Sequence, residues 1–295
     1  MSDETTYAVT LTTDKQKIHA FLQRDPVYAA YAIGDLEEAM FADTAWYLVD
    51  TEGAARGLTL LYSGLEPPIL LTMGEVDAVA AALATMPLPE RMYMAAQCDH
   101  LPAIERNYDF SADRVRHMVR MTVTAETFRA ARDDGRGGTG RGDPAPTVGA
   151  NDTDVVLRRL GAEDLAAVET LYRHGGSYAP DAFHPRQVVD GVFYGVLLPG
   201  SSSRDEKLLS VAGTHLIAPN WGVAAVGNIY THPTWRGQGL ARQVTSAVTQ
   251  ELLDRDLLVV LNVDQSNAAA IHIYQSLGYR THCPYVEGVG SVVVR

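Results

Sequence analysis

The sequence predicts an α+β chain made of two similarly ordered halves. Short apolar runs alternate with segments whose apolar residues recur at helical spacing along most of the length. From the third strand onward, each half reads strand, helix, strand, helix, strand. Between the halves the texture changes: residues 132–154, RDDGRGGTGRGDPAPTVGANDTD, hold six glycines, two prolines and one sizeable apolar residue, Val148. Such a composition cannot bury enough surface to offset the cost of ordering its backbone, so it reads as a linker between 1–131 and 155–295.

In the first half, KIHAFL and PVYAAYAIGDLEEAM read as helices, and AWYLVD, GLTLLYS and PPILLTM as strands. EVDAVAAALATM is a helix, RMYMAAQ a strand, HLPAIERNY a helix and VRHMVRMTV a strand. The second half is clearer. VVLRRL (155–160) is a strand, and GAEDLAAVETLYRH puts Leu165, Val168, Leu171 and Tyr172 on one helical face. FYGVLL, LLSVAGTHLIA and VAAVGNIYT are strands. After a polar turn, Leu240, Val244, Val248 and Leu252 recur at four-residue steps and mark a helix. LLVVLNV (257–263) is the short continuous apolar run of a strand covered on both faces. NAAAIHIYQSLGY (267–279) is a helix stopped by Gly278, and CPYVEG and SVVVR are two closing strands.

Composition bounds the function. A hydrophobic content of 46% and a charged content of 20% suit a globular chain with a real core. The formal net charge is −12, which gains nothing from counterion release and excludes nucleic acid or an anionic membrane as the expected main partner. An anionic ligand must therefore be held by a local feature. The two cysteines, Cys98 and Cys283, have neither disulfide-framework nor metal-ligand spacing and suit a reducing compartment. The polar start MSDETTYAV and the lack of a ~20-residue apolar run predict a soluble, cytoplasmic protein with no membrane partner.

The polar turn THPTWRGQGLA is the first constellation with chemistry in it. A helix N-terminus leaves backbone N–H groups unpaired and carries about half a positive charge. Glycines ahead of it remove the Cβ atoms that would keep a ligand away from those amides. Arg236, Gly237, Gln238, Gly239, Leu240 and Ala241 occupy such a turn, which suits a pyrophosphate. Three other short motifs carry nothing. Gly135, Gly137 and Gly140 match a dinucleotide pattern but follow no strand and open no helix. Arg141-Gly142-Asp143 reads as linker filler, and the glycosylation pattern at Asn151 has no use in a cytoplasmic protein. In the second constellation, Asn267, Ala270, Ile271 and Tyr274 fall on one helical face, so two polar groups flank a small residue along one stripe.

The ordered pair of motifs in NIYTHPTWRGQGLA, VVLNV and NAAAIHIYQSLGY resembles the GNAT superfamily of acetyl-CoA-dependent N-acetyltransferases. The match covers about 155–295, with the family's Arg-x-x-Gly-x-Gly/Ala turn at Arg236, Gly239 and Ala241. The resemblance implies tandem GNAT-like domains, each a central mixed sheet flanked by helices. It implies acetyl-CoA as co-substrate, no metal, and a small-molecule or peptide amine as acceptor. The pantetheine arm is expected to pair with backbone at Ile229, Tyr230 and Thr231, where that strand splays from the next, and to touch Asn267. Tyr274 is expected to face the thioester sulfur as general acid.

Many relatives carry a glutamate in the strand before the turn. Here Asn228 stands at that position, with no carboxylate in 221–231. Strand alternation puts Asn228 and Tyr230 on one face, read as facing the acceptor. His215 is then the favoured base because histidine titrates near neutrality, with His232, His272 and Asp264 as weaker candidates and bound water as another route. The first half departs from the pattern. TMGEVDAV has one glycine, no arginine, and Glu75 and Asp77 where phosphates would bind, so residues 1–131 read as a degenerate copy without the coenzyme A motif. GDLEEAM (34–40) and FHPRQVVDGVFYG (183–195) are candidate acceptor contacts. An acetyl-CoA-binding regulator without transfer, and a tandem acetyltransferase of a thiol-precursor amine, are the alternatives. An ATP enzyme is disfavoured, because no Lys-Ser/Thr follows the glycines.

Overall fold

The computed structural model describes residues 6–111, 115–131, 147–150, 153–176, 179–180, 183–200 and 206–293. Its elements run β1 (Ala8–Thr12), α1 (Lys15–Leu22), α2 (Ala30–Gly34), α3 (Glu38–Phe41), β2 (Thr44–Thr51), β3 (Ala54–Tyr62), β4 (Ile69–Gly74), α4 (Val76–Thr85), β5 (Arg91–Ala96), α5 (Leu101–Glu105), β6 (Tyr108–Asp109) and β7 (Arg116–Val123). They continue with β8 (Thr147–Ala150), β9 (Thr153–Arg159), α6 (Leu165–Arg173), α7 (Arg186–Asp190), β10 (Tyr194–Leu198), β11 (Lys207–Ala218), β12 (Val223–Thr231), α8 (Leu240–Leu253), β13 (Leu258–Asp264), α9 (Ala268–Ser276) and β14 (Arg280–Val292).

The chain forms two compact units: residues 1–121 with 263–267 and 281–295, and residues 122–262 with 268–280. This division does not follow the linear cut at the Gly-rich stretch. The closing residues join the first unit because β14 pairs antiparallel with β5, Val286 opposite Ala96 through Ser291 opposite Arg91. The two closing strands expected from CPYVEG and SVVVR are this one strand.

The first unit has strand order β1-β2-β3-β4-β5-β14-β7. β1 to β4 are antiparallel neighbours, while β4 and β5 run parallel, joined by the α4 crossover. Helix α4 buries Ala78, Val79, Ala82 and Leu83, the i, i+1, i+4, i+5 stripe that packs on Val49, Leu70, Met92 and Met94. Arg120 is fully buried among the rings of Tyr28, Tyr31 and Tyr285 and donates to the carbonyl of Tyr28. The expected helix over PVYAAYAIGDLEEAM is broken into α2 and α3. Glu37 takes an extended ψ of 143° and so restarts the chain as the cap of α3.

The second unit repeats the plan, with strand order β13-β12-β11-β10-β9-β8. β9 to β12 are antiparallel neighbours, and β12 runs parallel to β13 through α8. Both units therefore read strand, helices, three antiparallel strands, crossover helix, parallel strand. The four-residue steps of α8 are real: Leu240, Val244, Val248 and Leu252 are all buried. A second core gathers Leu160, Val168, Leu171, Tyr172, Val188, Phe193 and Tyr230 beneath α6 and α7. Asp164 anchors the start of α6. Its carboxylate takes a forked pair from Arg158 at 2.7 and 2.9 Å and accepts the Gly161 amide at 2.9 Å.

Most of the stretch expected as linker lies outside the described residues, as do Gly135, Gly137, Gly140, Arg141, Gly142, Asp143 and Asn151. Its described part is strand: β8 pairs antiparallel with β9, Thr147 opposite Val156. No helix of the described residues is long and apolar enough to cross a membrane.

Candidate active site

The second unit places its chemistry where β12 loses its neighbour. β12 and β13 pair in parallel from Val223 opposite Leu258 to Val226 opposite Leu261, and there the register ends. β12 continues to Thr231, so the backbone of Gly227–Thr231 has no recorded β13 partner among the described residues. The other edge of β12 is irregular too. Its register with β11 shifts between Val211 and Gly213 and again between Thr214 and Leu216.

Asn228 sits at this irregularity with φ of +53°, left-handed backbone that a non-glycine residue adopts only when its surroundings hold it there. Its amide donates to Nε2 of His215 at 3.2 Å. Its Nδ2 donates to Oε1 of Gln187 and to the carbonyl of Thr214, both at 3.1 Å. Its carbonyl accepts the hydroxyl of Tyr172 at 2.7 Å. Gly227 lies under the His215 ring, where a Cβ would come within 2.5 Å of Nε2 and would force the ring to shift. Gln187 of α7 completes the lattice by donating to the carbonyl of His215 at 3.0 Å.

Asn228 and Tyr230 do share a face, as strand alternation predicts, but it is a buried one: they are 2% and 4% exposed. Tyr230 packs edge-on against Tyr172 with centroids 6.1 Å apart. Two atoms stay unsatisfied there: Oδ1 of Asn228 and the hydroxyl of Tyr230 are buried without a hydrogen-bond partner among the described residues. Buried polar atoms are nearly always paired, so these two are exceptions, as are side-chain oxygens of Thr51, Thr59, Gln243 and Thr245. His215, expected as the base, is joined to this strand. Its Nε2 lone pair, which a base at that nitrogen needs, already accepts the Asn228 amide.

Beyond Thr231 the chain turns through Pro233–Trp235 into α8. Nε of Arg236 donates to the carbonyl of Thr231 at 3.2 Å, and the guanidinium lies 5.7 Å from the centre of the Tyr230 ring. Gly237 and Gly239 both hold φ of +78°, and a Cβ on either would meet nothing within 4 Å. Gly239 caps α8 with no side-chain hydrogen bond, so no capping side chain among the described residues occupies the first amides of a 14-residue helix. Gln238 is half-buried, Leu240 is buried and Ala241 is half-buried behind the turn.

The corresponding turn of the first unit is built oppositely. Gly74 also has positive φ, +115°, but its Cβ would strike the carbonyl of Arg56 at 2.4 Å. Its amide is already donated to Oε1 of Gln97 at 3.1 Å. Glu75 caps α4 and pairs with Arg56 at 3.2 Å, and Asp77 lies in the first helical turn. The space that stays empty at Gly237 and Gly239 is filled here by the chain itself.

Tyr274 lies in α9, 8% exposed, with its ring tilted against Tyr279 at 6.1 Å. Its hydroxyl makes no hydrogen bond among the described residues, and burial pushes its pKa up to about 12. Asn267 immediately precedes α9 and is exposed. Asp264 accepts from the amide and hydroxyl of Ser266 at 2.8 and 2.6 Å, and His272 is exposed. Among the described residues no group of His, Cys, Asp or Glu is arranged to hold a metal.

The profile described as FR47-like protein matches residues 206–286, which span β11, β12, α8, β13 and α9. A solved tandem GNAT protein from the clavulanic acid biosynthesis pathway superposes with a TM-score of 0.57 at 14% identity, covering 98% of this chain and 100% of that one. The chain shares the fold of that tandem protein.

A Drosophila protein of known structure has a similar fold, with a TM-score of 0.68 at 14% identity, over 96% of this chain and 98% of that one. A mycothiol acetyltransferase of Tsukamurella paurometabola is 30% identical over 154 residues, 48% of this chain and 52% of that protein. The chain thus covers about half the length of that curated relative. Sequence reasoning missed Gln187 and Tyr172 as the residues that pin the irregular strand of the candidate site. The signal for Tyr172 was present, since it ends the apolar stripe of α6. Nothing in FHPRQVVDGV marks Gln187 above its neighbours.

Proposed function

We propose that the protein is an acetyl-CoA-dependent N-acetyltransferase whose second unit binds the cofactor and whose first unit is a GNAT-like copy without that capacity. One observation carries the reading: β12 sheds β13 after Val226 and leads, within one turn, to the uncovered amides of α8. The freed backbone of Ile229, Tyr230 and Thr231 offers strand-like hydrogen bonds to the amides of a pantetheine arm. Arg236, Gly237, Gln238, Gly239, Leu240 and Ala241 hold the diphosphate through backbone N–H groups and the helix dipole. The filled, acidic turn at Gly74, Glu75 and Asp77 gives the first unit no such cradle.

An acceptor amine attacks the thioester carbonyl, the C–S bond breaks, and the thiolate leaves. A thiol titrates near 8.5 on the cysteine model. With its pKa raised to about 12, Tyr274 stays protonated throughout the working range. Full transfer of its proton to that thiolate is uphill by roughly three units, so its first contribution is a hydrogen bond to the departing sulfur. The buried Oδ1 of Asn228 and the Tyr230 hydroxyl are the groups that meet the acceptor. With Nε2 of His215 engaged, water carries away the ammonium proton and His215 holds the strand that presents Asn228. The name of the Tsukamurella relative favours one acceptor class within this reading, the amine of a low-molecular-weight thiol precursor.

Calorimetry with acetyl-CoA tests the cofactor, and acetylation of an amine panel containing a cysteinyl amine tests the transfer. Binding without acetylation of any amine supports a regulator instead, and absence of binding overturns the proposal.

A further inference from the structure

We propose that the outer edge of β1 is an interface between two copies of this chain, which pair their β1 strands antiparallel about a two-fold axis at Thr10.

β1 ends the strand order of the first unit and, among the described residues, pairs with β2 alone. A strand in that position presents a row of backbone N–H and C=O groups that its own sheet does not pair. Folded chains commonly blunt such an edge with a lysine, a proline or a bulge. This edge has none of them. Residues 5–13, TTYAVTLTT, hold no charge and no proline. The ladder with β2 runs without a register shift from Ala8 opposite Asp50 to Thr12 opposite Trp46.

The side chains select a second copy as the occupant. Val9 and Leu11 stand opposite Val49 and Tyr47, two members of the core under α4, and strand alternation turns both toward that face. Val9 packs there, but Leu11 is left 61% exposed, the most exposed large apolar residue among those described. One antiparallel register pairs all five residues of β1 with a second β1: Ala8 opposite Thr12, Val9 opposite Leu11, and Thr10 opposite Thr10. A two-fold axis normal to the sheet keeps the core-side faces of both copies on one side. Each Leu11 then lies against Val9 of the other copy, and the apolar layer continues from one copy into the next. On the opposite face the exposed Thr10 meets itself. Two chains of formal net charge −12 thus meet along strands that carry no charge.

Sedimentation equilibrium of the full chain tests the pairing at about 0.15 M salt, where charges more than ~8 Å apart are screened. A five-residue edge is small for an interface, so the expected dimer is weak, dissociating between about 10 μM and about 1 mM. Leu11→Lys charges the edge and removes the apolar pair twice per dimer, and is expected to weaken association by about tenfold or more. Thr10→Lys and Thr10→Asp each set like charges opposite one another at the axis. Each alone is expected to weaken the dimer by about threefold or more, and an equimolar mixture of the two is expected to recover the parent affinity. A parent that stays monomeric at about 1 mM overturns the proposal, as does a dimer that Leu11→Lys leaves intact. Mass that climbs past the dimer shows head-to-tail growth and overturns the two-fold pairing. A mixture that gains nothing over the single variants overturns the register at Thr10.

Discussion

Nε2 of His215 and the amide of Asn228 are joined at 3.2 Å across the irregular stretch of β11 and β12. This bond occupies the nitrogen that a general base would use, and it holds a left-handed asparagine in place. His215→Ala leaves a buried N–H unpaired, so unfolding midpoints are expected to fall by an amount equivalent to about 1–3 kcal/mol. Activity is expected to drop while the shape of its pH profile stays. Loss of the acid limb alone, with stability intact, would show that His215 is the base after all.

Tyr274→Phe removes a hydroxyl that has no hydrogen-bond partner among the described residues, so the melting temperature is expected to move little. The turnover number is expected to fall about 10²-fold or more, with the KM for acetyl-CoA unchanged. Burial raises the Tyr274 pKa to about 12, so the phenol loses its proton only at higher pH. Any alkaline limb seen below that value therefore belongs to another group and survives in Tyr274→Phe.

Gly237→Ala and Gly239→Ala put a Cβ into open space at φ of +78°. Gly222→Ala does the same at φ of +70°, in the turn before β12, at the opposite end of that strand from the glycine turn. All three are expected to cost about 1 kcal/mol of stability through left-handed strain. Only the first two are expected to weaken coenzyme A binding, by about tenfold or more. Equal weakening by Gly222→Ala points to general strain and removes the turn's special role.

Asp164 provides a test of the second unit's integrity against acid. Burial alone would raise its pKa, but the hydrogen bonds from Arg158 and Gly161 overcome that and hold it below the usual carboxylate range. A depressed folded pKa gives stability that is present above the unfolded value of about 3.9 and is lost as pH falls through the folded value. Asp164→Asn is therefore expected to be less stable than the parent at pH 7, with the gap closing at strongly acidic pH. A gap independent of pH in denaturant titrations removes the ion pair as its cause.

The pattern of apolar residues made most of this legible. The four-residue steps of α8, the runs of β11, β12 and β13, and the glycine turn between them are all local signals, and each formed where its period placed it. What stayed hidden depends on contacts distant in sequence. Strand alternation put Asn228 and Tyr230 on one face correctly, but whether that face is open depends on Tyr172, 56 residues from Asn228. A histidine in a strand reads as a base until the amide facing its Nε2 is known. Gly74 and Gly239 look alike as letters. The difference between a glycine filled by its own chain and one facing empty space lies in the packing around it.

The pairing of β14 with β5 also bears on how the protein is made. A ribosome delivers residues 1–121 first, yet the sheet they form still lacks an internal strand until residues 281–295 emerge. Through most of translation the nascent first unit must carry an unzipped edge at β5, while the later unit can close first. Maturation therefore runs against the order of synthesis, and a ribosome-stalled chain lacking its last fifteen residues should be a better target for holdase chaperones than the released protein.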